Sequence, residues 1–130
     1  EPAVGINRLF LMVLCDAYTE EENRVVMKFH PKLAPYKVAV FPLLANKEEL
    51  VKKACGIYDS LKKVVPTTFD DRGNIGKRYL YQDEIGTPWC VTVDFDSLED
   101  GAVTVRDRDT TKQERVKVEE LKNYFEERLK

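Results

Sequence analysis

The sequence predicts an α/β domain in which helices pack against a mixed β-sheet. Between residues 36 and 96, short apolar runs alternate with helical patterns, which favours parallel strands joined by crossover helices. Beyond residue 96 the connections between apolar runs become short, which favours an antiparallel meander. With 130 residues, 43% of them hydrophobic, the chain can form one such domain with a substantial core.

The first element is predicted over residues 5–18, "GINRLFLMVLCDAY", as a helix that is apolar on nearly every side. A helix of this kind is normally buried all round, so an uncovered one is expected to drive association. Residues 19–35 contain Pro31 and Pro35, which exclude a helix there, and we interpret this segment as a linker. Residues from about 36 onward are expected to fold without the preceding segment.

The next two elements are a buried strand, "KVAVFPL", and the helix "NKEELVKKACGIYDSLKK". Asn46 is the predicted N-cap of this helix, and Glu49 occupies the capping-box position. The helix has an apolar stripe at helical spacing, which predicts core residues. The stripe consists of Leu50, Ala54, Ile57 and Leu61.

A second strand, a second helix and a third strand are predicted in "VPTTFDD", "NIGKRYLYQDEIG" and "PWCVTVDF", with Gly86 closing the helix. The turn "SLEDG" is expected to lead into the strand "AVTVRDRD", and "TTK" into the strand "QERVKV". The chain then ends in a predicted amphipathic helix. Its inward-facing residues are Leu121, Phe125 and Leu129.

Composition narrows the possible functions. The net charge of −2 gives no overall attraction to nucleic acid, so any such contact must come from a local patch. Cys15, Cys55 and Cys90 are far apart in apolar runs and are expected to be buried, reduced thiols of a cytosolic protein. Because His30 is the only histidine and no Cys-x-x-Cys spacing occurs, we expect no metal site. No apolar run is long enough to span a bilayer.

The first candidate site is "TVRDRDT", residues 104–110, where charges of both signs lie in a predicted strand. Alternation places Thr104, Arg106 and Arg108 on one face of this strand. One interpretation is cross-strand ion pairing, with Asp94 near Arg106, and the residue pattern alone favours it. The other is recognition of base edges, because guanidinium and carboxylate groups supply the matching donors and acceptors.

The second candidate site is "DRGNIGKRYLYQDEIGTP", residues 71–88. Glycines bracket a short loop into a helix with basic first turns, an arrangement suited to phosphate binding. Asp83 and Glu84 lie near the helix C-terminus, where acids oppose the macrodipole, so they need a partner such as Arg78 or a ligand. The loop and the first turns carry Gly73, Gly76, Lys77 and Arg78.

Four long segments carry a resemblance to a known family: "EPAVGINRL", "HPKLAPYKVAVFPLL", "GNIGKRYLYQDEIGTPWCVTVDFD" and "VTVRDRDT". Together they resemble the C-terminal part of glycyl-tRNA synthetases of the dimeric class II type. Residues 1–18 resemble motif 3, the strand and helix that end the catalytic domain, and residues 36–130 resemble the anticodon-binding domain. The resemblance implies a three-layer α/β/α fold on a mixed five-stranded sheet, preceded by a helix left from the catalytic domain.

The resemblance also implies roles for the N-terminal residues. Arg8 stands at the motif 3 position that contacts the ATP phosphates, and Glu1 at the position that holds the glycine ammonium group. The family usually has Ser where this chain has Ala3. Motifs 1 and 2 are not in the sequence, so the chain alone is expected to be inactive. The full enzyme would be a cytoplasmic homodimer that uses ATP and Mg²⁺, and no cofactor is expected in this chain.

Anticodon recognition is the function that the resemblance implies, because a glycine anticodon carries cytosine at its second and third positions. Alternatives from other classes are a stand-alone nucleic-acid clamp, as in the mitochondrial DNA polymerase accessory subunit, and a protein-interaction domain of the same fold. Motif 3 favours the synthetase. The candidate anticodon-binding residues are Lys77, Arg78, Asp83, Glu84, Thr87, Arg106, Asp107 and Arg108.

Overall fold

The computed structural model describes residues 1–130 and centres on a five-stranded sheet with the strand order β4-β3-β5-β6-β7. The β3, β4 and β5 strands are parallel, whereas β6 and β7 are antiparallel to their neighbours, which confirms the predicted mixed sheet. The strands are β3 Val38–Pro42, β4 Thr67–Phe69, β5 Trp89–Val93, β6 Ala102–Asp107 and β7 Gln113–Lys117.

Helices cover both faces of the sheet, so the predicted α/β/α layering is confirmed. Helices α2 and α5 contribute to the main core on one face, and α3 packs on the other. A 3₁₀ turn, Val118–Glu120, leads into the last helix. The helices are α1 Ile6–Ala17, α2 Glu48–Leu61, α3 Ile75–Ile85, α4 Phe95–Asp100 and α5 Leu121–Arg128.

The main core lies between the sheet and helices α2 and α5. The predicted stripe of α2 is buried in full, and Leu121 and Phe125 of α5 are buried beside it, while Leu129 is half-buried against them. Strand residues at alternate positions complete this core because successive side chains point to opposite faces of the sheet. They include Val38, Val40, Val91, Val93, Val103 and Val105.

Two local predictions were wrong. Helix α2 begins at Glu48 with Lys47 as its N-cap and no side-chain cap, so Asn46 does not cap it. The expected turn "SLEDG" belongs to the short helix α4. Asp94 caps that helix by accepting from the Ser97 backbone N–H at 2.9 Å, and Ser97 Oγ accepts from the Asp94 N–H in return. This reciprocal pair satisfies N–H groups that a plain turn leaves free, and it favours the helical turn.

The segment interpreted as a linker forms a β-hairpin of strands β1, Tyr18–Glu21, and β2, Arg24–Met27. Val26 is fully buried, so the hairpin packs on the domain and does not extend into solvent. Two residues, Glu22 and Asn23, separate its strands. The linker interpretation depended on Pro31 and Pro35, which exclude a helix. Both prolines lie beyond the hairpin, so they do not exclude strands at Tyr18–Met27.

Helix α1 and the residues before it are largely exposed. Residues 1–5 form no strand, and most apolar side chains of α1 are exposed, with Phe10 65% exposed and Met12 67%, while Val13 and Leu14 are half-buried. Cys15 on this helix is exposed and Cys55 is half-buried, so the expectation of three buried thiols holds only for Cys90. Burial raises the pKa of the Cys90 thiol. No helix is long and apolar enough to cross a membrane.

Candidate nucleic-acid interface

The face of the sheet that packs on α3 carries buried charge where the opposite face carries valine. Arg106 of β6 is 8% exposed and donates from both terminal nitrogens to Asp83 of α3, at 3.0 and 3.2 Å. Its guanidinium also lies 4.8 Å from the centre of the Tyr79 ring, within reach of a cation–π contact. Asp83 is fully buried. The structure therefore joins two predicted site residues from different segments, Arg106 and Asp83.

The predicted ion pair between Asp94 and Arg106 does not form. Asp94 accepts from Arg115 of β7 at 3.0 Å, and Arg115 also pairs with Asp100 at 2.7 Å. Partial burial acts to raise the pKa of Asp94, but hydrogen bonds from Ser97 and Arg115 outweigh it, so the pKa lies below its usual value. Asp94 lies at the end of β5, where α4 begins, and β7 is the strand that brings a guanidinium to it. Asp94 and Arg106 therefore both form ion pairs, as the first interpretation expected, but with Arg115 and Asp83 and not with each other.

Arg108 follows β6 and is 3% exposed. Its terminal nitrogens donate to the carbonyl oxygens of Gly86 at 2.8 Å and Phe29 at 2.7 Å, and Nε donates to Asp109 at 3.0 Å. Planar guanidinium donors suit this arrangement because they reach several acceptors at fixed angles. The side chain therefore ties the end of β6 to the loop after α3 and to the segment after the hairpin.

Arg78 of α3 is the largest fully buried side chain, at 1% exposure. It donates to the carbonyl oxygens of Arg72 at 3.0 Å and Gly73 at 2.9 Å, and also to those of Pro42 and Asp71. These bonds hold the loop between β4 and α3 in place. Pairing with Arg78, one of the explanations considered for Asp83, does not occur, because Asp83 binds Arg106 and Arg24.

The loop into α3 differs in detail from the predicted phosphate loop. Gly73 has a φ of 64°, a left-handed conformation that favours glycine, but Gly76 lies inside the first turn of α3. Asn74 caps the helix and accepts from the Lys77 N–H at 2.9 Å. The Lys77 side chain is exposed and lines an open groove of about 660 Å³ together with Glu84.

The turn between β6 and β7 presents exposed polar groups. Asp107 Oδ1 accepts from the backbone N–H groups of Asp109 at 2.9 Å and Thr110 at 3.0 Å, an arrangement that builds the turn. Thr111 has a φ of 59°, which is unusual outside glycine. Asp107 Oδ2 has no hydrogen-bond partner within the chain, so this half-buried carboxylate keeps one free acceptor at the rim of the turn.

Small polar hollows lie on both sides of this turn, and Gln113 lines both. The hollow of about 270 Å³ also contains Asp107 and Lys112, and Tyr124 lies at its wall. Burial and a hydrogen bond to Glu114 raise the pKa of Tyr124 to about 12. On the other side, the hollow of about 250 Å³ is lined by Leu43, Ile75, Tyr79, Thr92, Asp94, Thr104 and Gln113.

The remaining predicted site residues lie apart from this turn. Thr87 is 1% exposed and donates to Gln82 Oε1 at 2.7 Å, which fixes the chain just after α3. Glu1 and Arg8 are both exposed at the N-terminal end. The structure does not bring these two residues to the interface around the β6–β7 turn. No cluster of three or more His, Cys, Asp or Glu side chains is arranged to hold a metal ion.

Comparison with known proteins agrees with this architecture. The profile of the family described as "Anticodon binding domain" matches residues 37–128. The chain belongs to that family. It is 55% identical to the glycine–tRNA ligase of Lachnoclostridium phytofermentans, with 99% of the chain and 28% of the relative aligned. It is 51% identical to that of Clostridium acetobutylicum, where the alignment covers 100% and 29%, respectively.

A third relative, the glycine–tRNA ligase of Bacillus cereus, is 50% identical over 99% of the chain and 28% of its own length. The chain therefore spans a little over a quarter of the curated relatives it matches. The resemblance predicted from the sequence motifs is confirmed, and so is the fold that it implied for this anticodon-binding domain.

Arg24 is a residue at the site that sequence reasoning missed. It lies in the hairpin and donates from Nη1 to Asp83 Oδ2 at 3.1 Å and to the carbonyl oxygen of Arg108 at 2.8 Å. The available signal was "RVVM" directly after "EEN", a β-branched run behind a polar turn that can mark the second strand of a hairpin.

Proposed function

We propose that this anticodon-binding domain recognises the anticodon of a glycine tRNA as part of a glycine–tRNA ligase. Membership of the family and identities of 50 to 55% to proteins with that name support the proposal. Recognition is a binding function in which exposed donors and acceptors meet unpaired bases. The surface that meets the anticodon must therefore carry exposed donors and acceptors.

The free carboxylate oxygen of Asp107 is the observation that carries our choice of surface. A carboxylate is the matched acceptor for the amino group of cytosine, and a glycine anticodon offers adjacent cytosines. Gln113, at the other end of the turn, is exposed and carries both an amide donor and an amide acceptor. Lys112, which lines the hollow of about 270 Å³, adds a cation for the phosphate backbone. We therefore place the anticodon loop on the β6–β7 turn and the neighbouring sheet face.

The eight predicted site residues divide into two groups in this proposal. Three have accessible polar atoms: we place Asp107 in contact with the anticodon loop at the β6–β7 turn, whereas Lys77 and Glu84 line the groove beside β4 and are assigned contacts with RNA outside that loop. The others are buried with partners inside the domain, and we assign them the support of that surface. These supporting residues are Arg78, Asp83, Thr87, Arg106 and Arg108.

The N-terminal residues belong to a different part of the proposal. In the complete ligase, Arg8 would contact the ATP phosphates and Glu1 the glycine ammonium group, with Mg²⁺ beside the nucleotide. Both side chains are free of partners within the chain, which suits residues that bind a ligand. We further propose that the complete ligase is a cytoplasmic homodimer.

A titration with anticodon stem-loops tests the proposal. The chain is expected to bind a loop with two adjacent cytosines more tightly than a loop in which uracil replaces them. Asp107→Asn keeps the oxygen that builds the turn but presents an NH₂ donor to the cytosine amino group. It should cost about 1 to 3 kcal/mol of binding free energy and reduce the preference for cytosine.

Asp96→Asn is the matched control because Asp96 is an exposed carboxylate on α4 that carries the same charge. It should leave both affinities unchanged apart from a small electrostatic effect. Equal binding of the unaltered chain to both loops would contradict anticodon recognition. A cytosine preference that survives in Asp107→Asn would contradict the placement on the β6–β7 turn.

A further inference from the structure

The hairpin Tyr18–Met27 lies against the end of α3 and links it to α1. The Lys28 N–H donates to the carbonyl oxygen of Ala17, the last residue of α1, at 2.7 Å, which closes the hairpin onto the helix. Gly86 has a φ of 83°, and a Cβ atom there would lie 2.4 Å from the Phe29 ring and 2.8 Å from the Met27 carbonyl oxygen. Only glycine therefore permits this approach.

Arginine side chains cross between the hairpin and the end of β6 in both directions. Arg24, on the hairpin, donates to the carbonyl oxygen of Arg108 at 2.8 Å, and Arg108 donates to the carbonyl oxygen of Phe29 at 2.7 Å. Both side chains are 8% exposed or less, so these bonds are largely shielded from water. Hydrogen bonds from charged donors are the stronger kind, and they fix the position of the backbone that accepts them.

A single buried carboxylate holds this arrangement together. Asp83 accepts from Arg24 at 3.1 Å through Oδ2 and from Arg106 at 3.0 Å through Oδ1. Glu21 balances the second positive charge by accepting from Arg24 Nε at 2.6 Å. Removing one partner of such a network leaves an uncompensated buried charge. Because separating the partners has the same cost, the network holds its members in one geometry.

We propose that Arg24 is a positioning residue that sets the orientation of the β6–β7 turn for anticodon recognition. This inference rests on the function proposed above. Asp107, which begins the turn, is directly bonded in the chain to Arg108, whose carbonyl oxygen and side chain are both held by the hairpin segment. The hairpin thus acts on the RNA-facing turn without contacting the RNA.

The turn has its own internal bonds, which separate positioning from simple folding. Asp107 N–H donates to the Lys112 carbonyl oxygen at 3.0 Å, and Thr111 N–H donates to that of Asp107 at 2.9 Å. These bonds do not involve the hairpin. When Arg24 is lost, the turn keeps its shape but its attachment to the domain loosens. Discrimination between loops should then fall more than affinity for RNA in general.

The experiment compares Arg24→Met, which keeps an unbranched side chain without donors, with Lys28→Met. Lys28 lies just after the hairpin and its side chain forms an ion pair with Glu21 at 3.2 Å, so its replacement removes the same charge without disturbing Asp83. The measured quantity is the ratio of affinities for the two-cytosine stem-loop and its uracil counterpart. Arg24→Met should lower this ratio on the order of tenfold, equivalent to losing one base contact, and Lys28→Met should preserve it.

Amide hydrogen exchange at Arg108, whose N–H donates to the Pro88 carbonyl oxygen at 2.9 Å, gives a second readout that does not require RNA. Exchange at this amide should accelerate in Arg24→Met relative to Lys28→Met, since looser attachment of the turn to the domain favours local opening. Arg24→Lys separates charge from geometry. It supplies a cation to Asp83 but no planar fork, so it should retain most of the stability and regain only part of the affinity ratio.

The outcomes distinguish the two proposals. If the unaltered chain shows no cytosine preference, anticodon recognition fails, and hydrogen exchange alone decides whether Arg24 positions the turn. If Arg24→Met keeps both the ratio and the exchange rates of Lys28→Met, Arg24 is not a positioning residue. Should Arg24→Met not fold, Arg24→Lys takes its place, and an unchanged ratio with unchanged exchange in that variant overturns the inference.

Discussion

The two faces of the five-stranded sheet use different chemistry to pack their helices. On the α2 and α5 face, aliphatic and aromatic side chains such as Val91, Leu50 and Phe125 form one continuous core. On the α3 face, the apolar cluster is small, and the buried Arg106 and Asp83 take the place of further apolar packing. One face depends on area removed from water and the other on directional bonds between charges.

This difference determines how each face responds to change. Apolar contacts are non-directional, so a side chain of similar volume can replace another at small cost. A buried charged side chain cannot be replaced so easily, because its partner must supply a matching donor or acceptor at a fixed position. The β6–β7 turn of the proposed interface lies where the two faces meet: Arg108 is held by hydrogen bonds on the α3 side, whereas Asp107 lines the hollow beside Tyr124 of α5.

Removing the hairpin should have the largest effect because it strips both kinds of contact from the α3 face. A version of the chain that begins at residue 32 loses the burial of Val26, the ring of Phe29 and the guanidinium of Arg24. We expect its cooperative thermal transition to be lost or strongly lowered, since the truncation removes Arg24 from the buried Asp83 and uncovers the Asp83–Arg106 pair, and disrupting a buried pair costs about 3 to 5 kcal/mol.

The control for this truncation is a version that begins at Tyr18, which lacks α1 but keeps the hairpin. It should melt cooperatively and sediment as a monomer, whereas the full chain should associate through the exposed apolar side chains of α1. Equal melting of the versions that begin at Tyr18 and at residue 32 would show that residues 19–35 are a linker after all.

Asp83→Asn tests the α3 face by an almost isosteric change. The amide presents an NH₂ group where the carboxylate accepts from Arg106 and Arg24, so Arg106 loses its counter-charge and Arg24 keeps only Glu21. The free energy of unfolding in urea should fall by about 3 to 5 kcal/mol. Glu84→Gln, the exposed neighbour on the same helix, should change it by less than about 0.5 kcal/mol. A loss below about 1 kcal/mol for Asp83→Asn would contradict the distinction between the faces.

Leu50→Met is the corresponding change on the α2 and α5 face. Leu50 is fully buried in the main core, and methionine has a similar volume with a flexible chain. The free energy of unfolding should fall by less than about 1.5 kcal/mol, because neighbouring side chains can adjust. Leu50→Ala serves as the comparison and should cost about 2 to 5 kcal/mol. A Leu50→Met loss as large as that of Asp83→Asn would remove the difference in tolerance.

Asp94→Asn should give the smallest effect and should depend on pH. Its folded pKa lies below the ordinary 3.8 because hydrogen bonds from Ser97 and Arg115 outweigh partial burial. The stabilisation is therefore present above the unfolded pKa and is lost as pH falls through the folded value. Asp94→Asn should lower unfolding free energy by less than about 1 kcal/mol at neutral pH, with the difference shrinking below about pH 4.

Thermal melts of both proteins between pH 7 and pH 2.5 check this sign. Asp96→Asn, on the same helix, should follow the unaltered chain throughout. A difference that widens toward low pH would show that Asp94 is destabilised, not stabilised, by its surroundings.

The sequence alone is enough to predict the elements that depend on local periodicity. Strands β3 to β7, helices α2, α3 and α5, and the apolar stripe from Leu50 to Leu61 all follow from alternation or helical spacing. These patterns are readable because each element must present an apolar face to a common core. The four long segments that resemble the synthetases likewise predicted the anticodon-binding family, which the match over residues 37–128 confirms.

Only the tertiary structure decided the partners of the charged residues. Arg106 and Asp83 are 23 positions apart, and Arg24 and Asp83 are 59 apart, so no local pattern relates them. The sequence alone does not show whether a charged side chain faces solvent, a base or a buried counter-charge. The partner of each charged side chain depends on which donor and acceptor atoms the fold brings within about 3 Å, the distance at which a hydrogen bond forms. The burial of the hairpin that supplies Arg24 likewise depends on tertiary packing, because β2 lies against α3.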